Sequence, residues 1–182
     1  MLWRCTRYEA AGRRWPGSTC STPERSTRAD RAGTLTEAFI VALEREPRLH
    51  LLVAGDGPEL AAMRARLGSA ASFLGGSGAS AVGRLTGWAD MLVCPCTEPD
   101  MAPAIRAAQR TGLPVLAVDG GEAAALIENG RSGFLVPDDP AALADAIRWL
   151  SRRATLRECL AAGGLLAAGA RHTSARGRIM SA

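Results

Sequence analysis

The sequence predicts an α/β protein built on a doubly wound parallel sheet, and three observations carry that prediction. Short apolar runs alternate with segments of helical period from Thr34 onward. The runs LHLLVA (49–54), MLVCP (91–95) and LPVLAV (113–118) are nearly continuous in apolar character, as strands covered on both faces are. A length of 182 residues suits one domain with a sizeable core and leaves little room for a second.

Residues 1–31, MLWRCTRYEAAGRRWPGSTCSTPERSTRADR, are rich in Arg, Ser, Thr and Gly, and Trp3, Tyr8 and Trp15 recur at no clean period, so this stretch reads as an irregular basic leader. Leu35, Ala38, Phe39, Ala42 and Leu43 then fall at helical spacing and predict a helix over 34–46 that Pro47 closes. After the strand at 49–54, Gly55-Asp56-Gly57-Pro58 turns the chain into a helix that opens on Pro58 and Glu59 and carries Leu60, Met63 and Leu67. Residues 72–74 form a minimal strand, followed by the glycine-rich GGSGAS, a short helix near 79–87 and the strand at 91–95.

Residues 101–110 read as a helix, and Gly112 resets the backbone before the strand at 113–118. A short helix over 122–128 ends at Asn129-Gly130, a common carboxyl-terminal cap, and 132–137 is the next strand. Asp138 and Asp139 ahead of Pro140 open a helix over 140–151, with Leu143, Ile147 and Leu150 on one face. An alanine-rich helix over 154–168 ends the pattern. The division is a leader over 1–31, a domain over 32–170 and a basic tail over 171–182.

All 22 of the Lys-plus-Arg residues are Arg, which excludes Schiff-base chemistry and a phosphate loop that relies on lysine. The net charge of +4 belongs to the ends. Residues 1–31 hold seven arginines against three acids and residues 171–182 hold three against none, whereas residues 32–170 hold twelve arginines and fifteen acids. Basic ends of this composition read as solubilising segments, so no nucleic-acid partner is expected. The five cysteines are odd in number, and Cys94 and Cys96 stand one residue apart, which fits neither a disulfide framework nor a CxxC pair. With two histidines in the chain, neither a metal centre nor a cofactor is expected, and the cytoplasm is the expected location. No apolar run approaches the roughly 18 residues of a membrane span, so membrane contact, if any, is peripheral.

In an open parallel sheet the ligand crevice lies beyond the carboxyl ends of the strands, which directs attention to residues 55–59, 75–78, 95–100 and 119–123. Gly55, Gly57 and Gly75 let backbone amides approach an anion, and the helix amino termini that follow favour negative charge, although GDGP is equally an ordinary tight turn. Glu98 and Asp100 bracket Pro99 beyond Pro95, where a carboxylate can accept hydrogen bonds from ribose or sugar hydroxyls or cap the helix at Met101. Asp119-Gly120-Gly121-Glu122 has the same two readings. His50 begins a strand, the wrong end for this crevice, His172 lies in the tail, and Trp88 and Trp149 read as packing anchors.

The run LTEAFIVALEREPRLHLLVAGDGPE, then SFLGG, then WADMLVCPCTEPDMAPAIRAAQRTGLPVLAVDGG, then LIENGRSGFLVPDDPAALADAI resembles the carboxyl-terminal, nucleotide-sugar-binding half of retaining GT-B glycosyltransferases of family 4. The resemblance spans about residues 34–160 and implies a Rossmann-like domain, one half of a two-domain enzyme. It implies donor phosphate near Gly55, Gly57 and Ala102, and the base, ribose and sugar against the loops at Gly75, Pro95, Glu98 and Asp100. The family's two glutamates, eight positions apart, fall on Pro99 and Ala107, and its phenylalanine-glycine step falls on Met101-Ala102. Before Thr34 the family has a strand, a glycine-arginine step and a further basic residue, where this chain has STCSTPERSTRADR, with Arg25, Arg28 or Arg31 as the nearest substitutes.

That first strand belongs at the centre of the sheet, between the strands at 49–54 and 91–95. Its loss leaves two interior edges unpaired unless residues 1–8 or another chain fill the gap. The resemblance further implies an acceptor-binding domain that a separate polypeptide would have to supply, since transfer needs a closed cleft between two halves. The expected function is therefore that of a glycosyltransferase-like domain, moving a hexosyl group from a nucleotide sugar when complemented, with no catalytic residue assigned. The alternative is a noncatalytic nucleotide-sugar-binding module or a degenerate scaffold for protein association.

Overall fold

The computed structural model describes residues 2–7, 28–54, 57–74, 83, 86–95, 97 and 101–179. In chain order its elements are β1 (Leu2–Arg7), α1 (Arg28–Arg45), β2 (Leu49–Ala54), α2 (Glu59–Leu67), β3 (Ala71–Phe73), β4 (Met91–Cys94), α3 (Ala102–Arg110), β5 (Val115–Val118), α4 (Gly121–Leu126), β6 (Phe134–Val136), α5 (Pro140–Ser151) and α6 (Ala154–Ile179). Short 3₁₀ turns follow α2 and precede β4.

The six strands form one sheet in the order β3-β2-β1-β4-β5-β6. The pairs β2–β3, β4–β5 and β5–β6 are parallel. β1 takes the central place and runs antiparallel to both neighbours, with Leu2 opposite Ala54, Arg7 opposite Leu49, and Trp3 opposite Val93. Here the structure corrects one expectation and decides another. The leader over 1–31 is not irregular throughout, because Leu2–Arg7 is a strand and α1 begins at Arg28. The central place is filled from within residues 1–8, one of the two ways that the sequence left open. Two interior edges, β2 and β4, offer rows of backbone donors and acceptors whose burial without partners is costly, and a segment with little apolar pattern of its own is drawn into the ladder.

Helices cover both faces. On one face α1, α2 and α5 pack Leu35, Phe39, Met63, Leu143 and Ile147 against Leu51, Val53, Met91, Val93 and Leu116. On the other, α3 and α4 pack Ile105, Ala108, Ala123 and Leu126 against Leu92, Cys94, Val115 and Ala117. Successive residues of β4 and β5 thus go to opposite cores, which is why those strands are apolar at every position and not at alternate ones. Each large side chain buried here contributes about 1.5–3 kcal/mol.

Polar ties lock the layers. Arg152 reaches Glu46 at 2.9 Å and joins the carboxyl ends of α5 and α1. The buried guanidinium of Arg157 donates to the Leu150 and Ser151 carbonyls at 2.9 and 2.6 Å and meets Asp90 at 3.3 Å, so a cation closes the negative end of α5. Gln109 in α3 donates to the Leu126 carbonyl at the end of α4 at 3.0 Å.

Several boundaries differ from expectation. The helix after β5 stops at Leu126, and Asn129-Gly130 form a separate turn instead of its cap: Gly130 has φ 76° and its N–H donates to the Gly133 carbonyl at 2.9 Å. The last helix runs to Ile179 and takes in most of the segment read as a tail, as a run with no proline permits. The short helix predicted near 79–87 lies largely outside the described residues. Among the described residues, no helix is long and apolar enough to cross a membrane.

Candidate functional site

Chain direction decides which edge of the sheet carries the site. α2, α3, α4 and α5 follow the carboxyl ends of β2, β4, β5 and β6, so four helix amino termini, each a positive dipole end, open at one edge. α1 feeds the amino end of β2 through residues 46–48, so it runs against β2 and its first turn, with Arg28 and Arg31, lies toward that same edge. β1 runs the other way: it reaches the carboxyl edge at Leu2 and leaves at the amino edge at Arg7. The central strand therefore presents no loop after its carboxyl end to this crevice.

Residues at the carboxyl edge are brought close by two glycines. Gly120 has φ 140° and Gly121 φ 48°, conformations that side-chain-bearing residues rarely adopt. They bring the β5–α4 turn onto Thr97, which follows β4. A Cβ on Gly120 would lie 2.8 Å from Thr97 Cγ2, and one on Gly121 would overlap the Thr97 carbonyl. Just before this turn the Asp119 N–H donates to the Val136 carbonyl at 2.7 Å, which ties the end of β5 to β6. Beyond β6, Asp139 caps α5 through Oδ2, which accepts the Ala142 N–H at 2.7 Å, the role that an acid ahead of Pro140 predicts.

The sequence-predicted residues distribute as follows. Gly57 is exposed in the bend before α2, and its carbonyl accepts the Leu60 N–H at 3.3 Å. Pro95 is buried directly after β4. Ala102 is the first residue of α3 and follows Met101; both are buried in the second core, so their side chains serve packing and only their backbone faces the crevice edge. Ala107, where the resemblance places a glutamate, is buried in the same core. Gly55, Gly75, Glu98 and Asp100 lie outside the described residues. Among the described residues no cluster of His, Cys, Asp and Glu could hold a metal ion.

Sequence reasoning placed Thr97 in the stretch 95–100 without singling it out, and missed Arg106. Arg106 on α3 approaches Glu122 on α4 at 3.9 Å, both partly exposed, which spans the gap between two of the helices that open here. The tandem glycine after a strand was the available signal for a close approach; the identity of the approaching residue was not. Among the residues whose side chains are described, the charged groups near this edge are Glu59, Asp119, Glu122, Asp138 and Asp139, beside Arg106. An anion bound here would thus depend on backbone amides and helix dipoles more than on neighbouring cations. His50 stands at the opposite edge, on β2, where Nε2 lies 2.7 Å from Ser72 Oγ and partial burial lowers its pKa.

Comparison with known proteins agrees with this architecture. The family model described as "Glycosyl transferases group 1" matches residues 24–153, more than half of the chain. HepE of Anabaena, solved in complex with UDP-glucose, is 26% identical with a TM-score of 0.67, and the match covers 81% of this chain and 43% of that one. The same protein solved with UDP and glucose gives a TM-score of 0.68 at 21% identity, covering 82% of this chain and 44% of that one. The carboxyl-terminal domain of the group 1 family protein LpcC from Francisella tularensis matches over 82% of both chains, with a TM-score of 0.63 at 20% identity. A search of curated protein sequences finds no match. The chain spans less than half the length of the HepE chains and most of the length of the LpcC domain, so its fold is that of a GT-B carboxyl-terminal half. With the family match over residues 24–153 resting on this sheet and these helices, the chain belongs to the group 1 glycosyl transferases.

Proposed function

We propose that the chain binds the nucleotide-sugar donor of a glycosyltransferase at the carboxyl edge of its sheet, and that hexosyl transfer requires an acceptor-binding half to supply the other side of the cleft. The observation that carries this reading is the convergence at that edge: helix amino termini open there, and the Gly120-Gly121 turn closes onto Thr97. HepE, 26% identical, is solved with UDP-glucose, which supports a uridine diphosphate sugar as the ligand class. In this reading the diphosphate lies by the backbone of Gly55, Gly57 and Ala102, and the base, ribose and sugar lie along the loops at Gly75, Pro95, Glu98 and Asp100.

Donor and acceptor react only when held together in a water-poor cleft, and a single Rossmann-like half has one wall of it. This domain is therefore the donor-binding half, and a cytoplasmic location is proposed for it, in keeping with an odd number of cysteines whose spacing fits no disulfide framework. Release of UDP from UDP-glucose, followed with the purified chain and a panel of hydroxyl acceptors, tests this. The expected result is no turnover by these 182 residues alone; clear turnover by them would sink the proposed division of labour.

A further inference from the structure

α6 crosses the amino edge of the sheet, the end opposite the crevice. Its Arg157 meets Asp90, just ahead of β4, at 3.3 Å. Further along, a Cβ on Gly163 would overlap the Arg131 carbonyl ahead of β6, and one on Gly112, ahead of β5, would lie 3.4 Å from Leu165 Cδ1. Leu160 and Gly164 face inward and are buried, whereas Cys159, Ala162, Leu165 and Leu166 face outward and are exposed.

Both faces of this stretch are apolar. Residues 159–170, CLAAGGLLAAGA, contain no charged side chain and, apart from one thiol, no polar one. A helix at a protein surface ordinarily turns a charged face to water, and one that is apolar all round is ordinarily buried. Here Leu166 is 72% exposed and Leu165 46%. Trp88, in the 3₁₀ turn two residues ahead of Asp90, is 75% exposed. Three of the five large apolar side chains exposed among the described residues thus stand at this one edge, with Val41 and Leu74 elsewhere.

The charges around the patch decide what covers it. Arg110, at the end of α3, and Arg152 and Arg153, ahead of α6, are exposed at this edge, and Arg171, Arg176 and Arg178 fall along the rest of the helix. Among the acids nearby, Glu128 is met by Arg131 at 3.0 Å, Glu46 by Arg152 at 2.9 Å and Asp90 by Arg157 at 3.3 Å. Glu158 is exposed, and residues 159–182 hold no acid. A second copy would set these arginines against their own kind. An anionic lipid surface suits the patch instead: leucines enter the acyl boundary, tryptophan sits at headgroup level and arginines meet the phosphates. We propose that the amino edge docks on an anionic bilayer through Trp88, Leu165 and Leu166, with α6 lying along the headgroup layer. The crevice, at the other end of the strands, then opens toward water. This inference rests on the amino edge and not on donor binding, and its test uses no sugar nucleotide.

The test is flotation of the full chain with vesicles of equimolar phosphatidylcholine and phosphatidylglycerol, set beside vesicles of phosphatidylcholine alone. The wild type is expected to bind the anionic vesicles at least roughly tenfold more tightly than the neutral ones, and more weakly at high salt. Leu166→Glu combined with Trp88→Ser, both at largely exposed positions, should weaken that binding at least roughly tenfold. Val41→Glu, at an exposed apolar position on α1, should leave it unchanged. Circular dichroism checks that each variant is folded; should the double variant not be, Leu166→Glu decides alone, with a loss of at least roughly threefold. No binding by the wild type, equal binding to neutral vesicles, or undiminished binding by the folded double variant overturns the proposal. An equal loss in Val41→Glu would make the effect one of charge alone and overturn it too. A dimer in solution that Leu166→Glu splits and anionic vesicles do not would assign the face to a second copy and likewise overturn it.

Discussion

Gly121 is pressed against Thr97 so closely that a Cβ on the glycine would overlap the Thr97 carbonyl oxygen. The contact joins the turn after β5 to the loop after β4 and sets the shape of the carboxyl edge. Gly121 also has φ 48°, so two independent constraints exclude a side chain. Gly121→Ala should lower stability by about 1–3 kcal/mol, from left-handed backbone strain together with overpacking. Urea unfolding measures it, and an unchanged midpoint would show that the turn yields without cost.

Two adjacent glycines in α6 make a sharper comparison. A Cβ on Gly163 would overlap the Arg131 carbonyl, whereas one on Gly164 would meet the Gln109 side chain at 3.3 Å, a tight contact that a flexible group can relieve. Alanine is intrinsically better than glycine in a helix by about 1 kcal/mol. Gly164→Ala should therefore be nearly neutral, while Gly163→Ala should destabilise by about 1–3 kcal/mol despite that propensity gain. Thermal unfolding of the two variants side by side checks the order; the reverse order would refute the packing of α6 on residues 131–132.

Arg157 is buried, with its guanidinium on the Leu150 and Ser151 carbonyls and on Asp90. Arg157→Met keeps much of the aliphatic bulk but strips the end of α5 of its donors. A loss of about 2–4 kcal/mol is expected, because buried carbonyls and a carboxylate lose their partner together. Calorimetric unfolding is the readout, and a loss no larger than that of an exposed arginine such as Arg110 would contradict it.

His50 carries a pH dependence of known sign. Desolvation by burial lowers its folded-state pKa below 6.5, so the folded protein prefers the neutral ring. The stability this contributes is full above the unfolded-state value and is lost as pH falls below 6.5 and through the folded-state value. His50→Gln should flatten the decline in urea midpoint between neutral and mildly acidic pH while retaining a polar group opposite Ser72. An identical decline in the variant would assign it to other groups.

Legibility from sequence followed how far each element depends on its own residues. β2 at 49–54 and α5 at 140–151 lie where the apolar run and the Asp-Pro opening place them, because a buried strand and a capped helix carry their signals locally. β1 carries no such local signal: residues 1–8 were legible only as one of two candidates for the central gap, and the pairing of LWRCTR with β2 and β4 is a tertiary fact. The same holds at the site. Glycine turns after strands were readable as places of close approach, but Thr97 as the neighbour of Gly121 is a fact of tertiary packing. Ala102 was expected by resemblance at the donor phosphate, and its burial in the second core leaves only its backbone for that task.

The account stands on donor binding at the carboxyl edge, and isothermal titration of the purified chain with UDP-glucose tests it most directly. The expected result is saturable binding with a dissociation constant on the order of 1 mM or tighter, weakened in a folded Gly121→Ala variant. Absence of heat from the wild type at about 1 mM ligand, with the protein shown to be folded, would contradict it.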